Sequence, residues 1–140
     1  MLTGMCVAVA LTAAQCRALR MAEDIGGNPL AALVWVESSF CAHKHNPRNH
    51  SVHGCAQMNE QAVRSVYGHP VAVWVLTYDN PVNMVLAENY LSRCERIFGW
   101  PDALAAYYWG IPHARYMTHR QRVDDPYTQA VLHKLEVLRG

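Results

Sequence analysis

The sequence predicts a mainly α protein: one domain of several short helices around a single core. Three observations predict it. The chain has 140 residues, the length of one domain, and no repeat, low-complexity tract or interdomain linker divides residues 1–140. Its glycines and prolines punctuate short stretches of helical periodicity. The apolar set AVILMFWYC makes up 51% of the residues and DEKR only 16%, against about 25% charged in an average domain, so the chain folds rather than remaining disordered. The varied helix lengths and loops point to a globular arrangement rather than a regular bundle.

The first helix is expected over residues 3–24, stopping at Gly26-Gly27. Asn28 then reads as an N-cap with Pro29 at the first helical position, opening a second helix that runs to about Ser39. Residues 40–57 read as a loop rich in His, Asn and Ser. Asn59 caps a third helix that ends at Gly68. In residues 70–78 Val71, Val73 and Val75 alternate like a strand, but the stretch is short and led by Pro70, so it is read as a short helix. Asp79-Asn80-Pro81 opens a longer helix ending at Phe98-Gly99, with a stripe of Asn83, Leu86, Ala87, Tyr90, Leu91, Cys94, Ile97 and Phe98 at helical spacing. Pro101 starts another, reaching Trp109, and Gly110-Ile111-Pro112 breaks it. A polar connection follows, and residues 126–138 form the last helix.

Charge narrows the function. A net charge of +1 leaves no basic surplus for phosphates, so nucleic acid is not an expected partner. Acid/base chemistry must draw on 11 carboxylates or 8 histidines. The apolar run of residues 4–14 is too short to span a membrane, and Arg17 is the first charge, so no basic segment precedes it as in a signal peptide. It reads as a buried first helix. The cysteines are Cys6, Cys16, Cys41, Cys55 and Cys94, with no Cys-x-x-Cys pair; the odd count leaves at least one thiol free. Buried free cysteine is the ordinary reading. Cys41 and Cys55 bracket the polar loop, where a bridge would staple it, and both readings stay open.

One carboxylate breaks a pattern. In the second helix the core stripe is Leu30, Leu33 and Val34, and the next position on it is Glu37. Desolvation at the core side and the negative end of the helix both raise a carboxyl pKa. A carboxylic acid kept protonated near neutrality serves as a general acid. The ordinary alternative is a solvated Glu, or one paired with Arg. The other acids have blander settings. Glu60 lies in a first helical turn, Asp79, Asp102 and Asp124-Asp125 suit helix starts, and Glu88, Glu95 and Glu136 lie in helices rich in Arg or Lys.

Five segments now form a familiar order. Val36-Glu37-Ser38-Ser39-Phe40 resembles the Glu-Ser motif of the soluble lytic transglycosylase family, in which a helix ends in the acid. Gly54-Cys55-Ala56-Gln57-Met58 resembles its Gly-Leu-Met-Gln segment, and Ser51 falls where a Ser often precedes it. Asn80-Pro81-Val82-Asn83-Met84 with Asn89-Tyr90-Leu91 is similar to its Asp-Pro-x-x-Asn-Ile…Tyr-Leu helix. Ala105-Ala106-Tyr107-Tyr108-Trp109-Gly110 resembles Ala-Tyr-Asn-x-Gly, and Pro126-Tyr127-Thr128-Gln129-Ala130-Val131 resembles the closing Tyr-Val-x-x-Val helix. The likeness spans residues 17–135. Each motif alone is weak; five in order are not. Cys55 and Ala56 stand in place of Leu and Met, and Tyr108 in place of Asn, which changes a polar contact to the sugar.

The resemblance implies a lysozyme-like fold, related to goose-type lysozyme, around a glycan cleft. It implies cleavage of the β-1,4 bond between N-acetylmuramic acid and N-acetylglucosamine in peptidoglycan strands, with no cofactor and no metal. Glu37 becomes the catalytic acid and then the base. Ser51, Gln57, Tyr107 and Tyr108 become sugar-binding residues, and Tyr127 the residue whose hydroxyl orients Glu37. Trp109 suits cleft or core. Closure of a 1,6-anhydro ring by the sugar's own 6-hydroxyl makes the enzyme a lytic transglycosylase; attack by water makes it a lysozyme. Action in the periplasm or at the cell wall without a signal peptide implies delivery by a phage or a secretion apparatus.

Two other readings compete. His43, His45, His50 and His53, flanked by Cys41 and Cys55, carry zinc-ligand chemistry at spacings that fit no zinc-finger pattern, so a metal-binding module is one alternative and a solvated loop the other. A non-catalytic glycan-binding relative, part of a secretion machine or phage tail, is the third; Glu37 argues against it.

Overall fold

The computed structural model describes residues 4–140, so the expected helix start at residue 3 lies outside the described residues. The protein is mainly helical, with one two-stranded sheet among these residues. In chain order the elements are α1 (Gly4–Ala8), α2 (Ala13–Ser38), β1 (Val52–His53), β2 (Met58–Asn59), α3 (Glu60–Tyr67), α4 (Val73–Tyr78), α5 (Asn80–Phe98), α6 (Asp102–Trp109), α7 (Ile111–Ala114), α8 (His119–Asp124) and α9 (Pro126–Arg139). No helix among the described residues is long and apolar enough to cross a membrane.

The expected first helix is broken early. Ala10 takes a left-handed φ of 55°, and Thr12 restarts the chain as N-cap of α2 through a capping box with Gln15. A disulfide between Cys6 and Cys16 clamps the two pieces, in place of the free thiols expected at both positions. Nor is α1 a buried helix: Cys6 is its buried residue, and Val7 is 66% exposed.

The boundary expected at Gly26-Gly27 is a kink rather than a gap. Gly27 has φ 72° and ψ −167°, a conformation costly for any residue with a Cβ, and the helix resumes through Asn28 and Pro29. Gly26 is needed for a different reason: a Cβ there would collide with the Glu88 carboxyl. Beyond the kink Leu30, Leu33 and Val34 are fully buried, as their spacing predicts. This half of α2 leads directly to Glu37.

The long helix α5 packs against α2, α3, α4 and α6, while α9 covers α2 and α6. Asp79 caps α5 by accepting from the Val82 N–H, and Asn59 caps α3 by accepting from the Ala62 N–H. On α5 the expected stripe is buried from Asn83 to Cys94, whereas Ile97 is 40% exposed. Two short helices, α7 and α8, occupy the connection read as polar loop. A carboxylate read as a cap holds them: buried Asp102 accepts from Arg122 Nε at 2.9 Å and lies 2.8 Å from His119 Nδ1. The two partners outweigh burial and hold the Asp102 carboxyl below its usual pKa. Arg122 also donates to the carbonyls of Ala114 and Met117, so one ion pair organises α6, α7 and α8.

Candidate active site

Helix α2 ends abruptly after Glu37-Ser38. Ser39, Phe40 and Cys41 all take left-handed φ values, 52°, 54° and 69°. Each costs about 1–2 kcal/mol for a residue with a Cβ. Side-chain bonds hold the turn. Ser38 Oγ donates to the Cys55 carbonyl at 2.5 Å and accepts from the Cys41 N–H at 2.9 Å. The Cys41–Cys55 disulfide, the stapled alternative of the sequence, closes the same junction. Phe40 is buried against Trp35, with ring centroids 5.3 Å apart.

The other side of the junction is the turn from β1 to β2. Asn83 on α5 is fully buried and supports it by accepting from the Ala56 N–H at 2.8 Å and donating to the carbonyls of His53 and Leu76 at 2.8 and 2.9 Å. Gly54, at φ 80°, lies so close that a Cβ would strike the Leu76 carbonyl and the Asn83 amide. The side chain of Asn83 thereby fixes the backbone from Gly54 to Gln57.

Between these parts lies a cleft of about 490 Å³. Glu37, Gln57, Tyr107 and Tyr108 line it together, with Trp109, Tyr90 and Met58 on the wall and Asn46, Arg48, Asn49, Val52, Asn59 and Ala62 around the rest. Burial is the main influence on Glu37 and pushes its carboxyl up to about 8, against the opposing pull of the Tyr127 hydroxyl. That hydroxyl faces Glu37 without closing a hydrogen bond of ordinary geometry, and its oxygen is buried without a partner. Burial, reinforced by the charge of Glu37, holds the Tyr127 and Tyr107 hydroxyls protonated.

The remaining expected residues divide. Gln57, left-handed at φ 52°, commits its amide nitrogen to the carbonyls of Lys44 and Gly54, leaving the amide oxygen for a ligand. The Tyr107 hydroxyl donates to the Ala56 carbonyl at 2.8 Å, so Tyr107 offers the cleft its ring. Tyr108 is half exposed and tilts over Tyr127 at 4.7 Å between ring centroids. Ser51 is not brought to this cleft. It is exposed, bonded to Asn49 Oδ1, and lines a separate depression with His50, His53 and Val73.

No known protein family, curated protein or solved structure matches the chain. Its site therefore rests on its own geometry. The disulfide removes Cys41 and Cys55 from the metal alternative, and no group of three or more His, Cys, Asp or Glu side chains among the described residues could hold an ion. Asn46, Arg48 and Asn49 are cleft residues the sequence reading passed over as loop. Their signal was the Asn-x-Arg and Asn-x-Ser spacing: Asn46 accepts from the Arg48 N–H and Asn49 from the Ser51 N–H, turns that shape the rim.

Proposed function

We propose that the protein is a peptidoglycan lytic transglycosylase of lysozyme-like fold, with Glu37 as its acid. One observation carries the reading: a carboxyl that burial keeps protonated to about pH 8 opens onto a cleft walled by Tyr107, Tyr108 and Trp109. Aromatic faces and amide groups suit a polysaccharide, whose rings offer apolar faces and polar edges.

Protonated Glu37 gives its proton to the glycosidic oxygen as the bond to the anomeric carbon breaks. The substrate's 2-acetamido oxygen stabilises the positive charge at that carbon, the task a second carboxylate performs in most glycosidases. Glu37, now ionised, takes the proton of the sugar's 6-hydroxyl, which closes the 1,6-anhydro ring. The Gln57 amide oxygen accepts from a sugar hydroxyl or amide, and the aromatic wall carries the rings. The two disulfides support action in an oxidising compartment, the periplasm or the cell wall.

Product analysis tests the proposal. Purified peptidoglycan digested by the wild type releases 1,6-anhydromuramyl ends, and folded Glu37→Gln releases none. Reducing ends alone convert the reading to a lysozyme. No product from the wild type, or normal activity in Glu37→Gln, overturns it.

A further inference from the structure

Two residues approach the Glu37 site from different helices. Tyr127, in the first turn of α9, faces the carboxyl. Trp109, the last residue of α6, forms part of the cleft wall. Asp125 joins them. It is buried, and its two oxygens are divided: one accepts from the Tyr127 backbone N–H at 2.9 Å, the other from the Trp109 indole N–H at 2.7 Å. The ring of Tyr108 fills the angle, 4.7 Å from that of Tyr127 and 5.0 Å from that of Trp109.

Both partners of Asp125 donate and neither accepts. The group between them must therefore present two acceptors in different directions. A carboxylate does so. An amide offers one oxygen and one NH2, and turning it over only changes which donor is left facing another donor. Helix capping alone makes no such demand, because Asn caps as well as Asp. The carboxylate is required by the pair of bonds together.

We propose that Asp125 is a positioning residue for the site, one carboxylate that fixes Tyr127 against Glu37 and Trp109 in the cleft wall at the same time. The acid and the sugar-binding surface are thereby held in one register. The proposal rests on the reading of Glu37 as the acid. Asp125 acts through its two partners.

The test compares Asp125→Asn in the wild-type and Trp109→Phe backgrounds. The Glu37 carboxyl is followed by carbon NMR, and turnover is measured on peptidoglycan. In the wild-type background Asp125→Asn moves the Glu37 midpoint up by about half a unit or more as the Tyr127 hydroxyl shifts away. Turnover falls about tenfold. In Trp109→Phe only one acceptor is needed, and the same change adds less than about a twofold loss. An unmoved midpoint in folded Asp125→Asn, or an equal loss in both backgrounds, overturns the proposal. If Asp125→Asn folds only with Trp109→Phe present, the two-acceptor demand is supported. If it folds in neither background, Asp125 serves α9 alone and the proposal fails. The midpoint is read without substrate, so an inactive wild type overturns the functional reading and leaves this comparison intact.

Discussion

Cys41 and Cys55 are joined by a disulfide that spans 14 residues of sequence and ties the end of the Glu37 helix to the turn carrying Gln57. Glu37 and Gln57 flank this covalent loop, one just before it and one just after it. A loop of this length stabilises by about 3 kcal/mol in the chain-entropy account. Cys41→Ser with Cys55→Ser is expected to lose about that much in denaturant unfolding. Activity is expected to fall further than stability at temperatures where the variant stays folded, because the left-handed turn at residues 39–41 is freed. Equal activity in the folded variant would contradict this.

The raised pKa of Glu37 has a thermodynamic counterpart. The folded state holds its proton to about pH 8, whereas the unfolded chain releases it near the ordinary value of 4.5. Between these values the folded state binds the extra proton, so stability falls as pH rises, by up to about 1.4 kcal/mol per unit. Glu37→Gln lacks this loss. Unfolding curves of variant and wild type run parallel below pH 4.5, diverge through the window, and stay separated by a few kcal/mol above pH 8, with the variant the more stable. A gap independent of pH would show that Glu37 is not desolvated. Turnover by the wild type declines above about pH 8 as the acid ionises.

Tyr127 gives a second handle on the same group. Its hydroxyl is buried without a hydrogen-bond partner and opposes the rise in the Glu37 pKa. Tyr127→Phe removes an unsatisfied polar group, so thermal stability is expected to hold or to gain up to about 1 kcal/mol. The alkaline limb of activity moves upward, and loss of orientation lowers the maximal rate. A limb that moves downward would contradict the role drawn for the hydroxyl.

Arg48 is the one cation lining the cleft, it is exposed, and no ion pair engages it among the described residues. If the substrate is peptidoglycan, as proposed, Arg48 suits the carboxylates of its peptide side chains rather than the sugar rings. Arg48→Gln is expected to raise KM several-fold on peptidoglycan fragments bearing carboxylates, with little change on neutral N-acetylglucosamine oligomers. The difference shrinks as salt increases. Equal effects on both substrates would assign Arg48 to loop structure.

The caps explain what was legible in the sequence. Asn59, Asp79 and Asp125 stand where α3, α5 and α9 begin, because a short acceptor before a helical pattern satisfies orphan N–H groups locally. Glu37 was legible because one helix face was apolar up to it. The break at residues 9–12 was hidden by good helix formers on both sides, although Thr12-x-x-Gln15 carried the capping-box signal. The β1–β2 hairpin was illegible for another reason. Each strand has two residues, and its turn is shaped by Asn83, 30 residues from its partner His53. Asp102 read as a cap because its partners, His119 and Arg122, lie on a helix the sequence did not announce.

The kink at Gly27 bears on how this protein tolerates change. In an unbroken helix, adding or deleting one residue turns everything beyond it by about 100°. Glu37 would then swing away from the cleft with any length change upstream. The interruption at Gly27 gives the two halves of α2 separate azimuths, and α5 and α9 pack on the helix they make together. Residues 13–26 are themselves anchored, by buried Cys16, Leu19 and Ala22 and by the Gln15 amide, which donates to the Ser39 carbonyl at 3.1 Å. A length change before Gly27 is therefore expected to act through that packing and through Ser39 rather than as a rotation of Glu37.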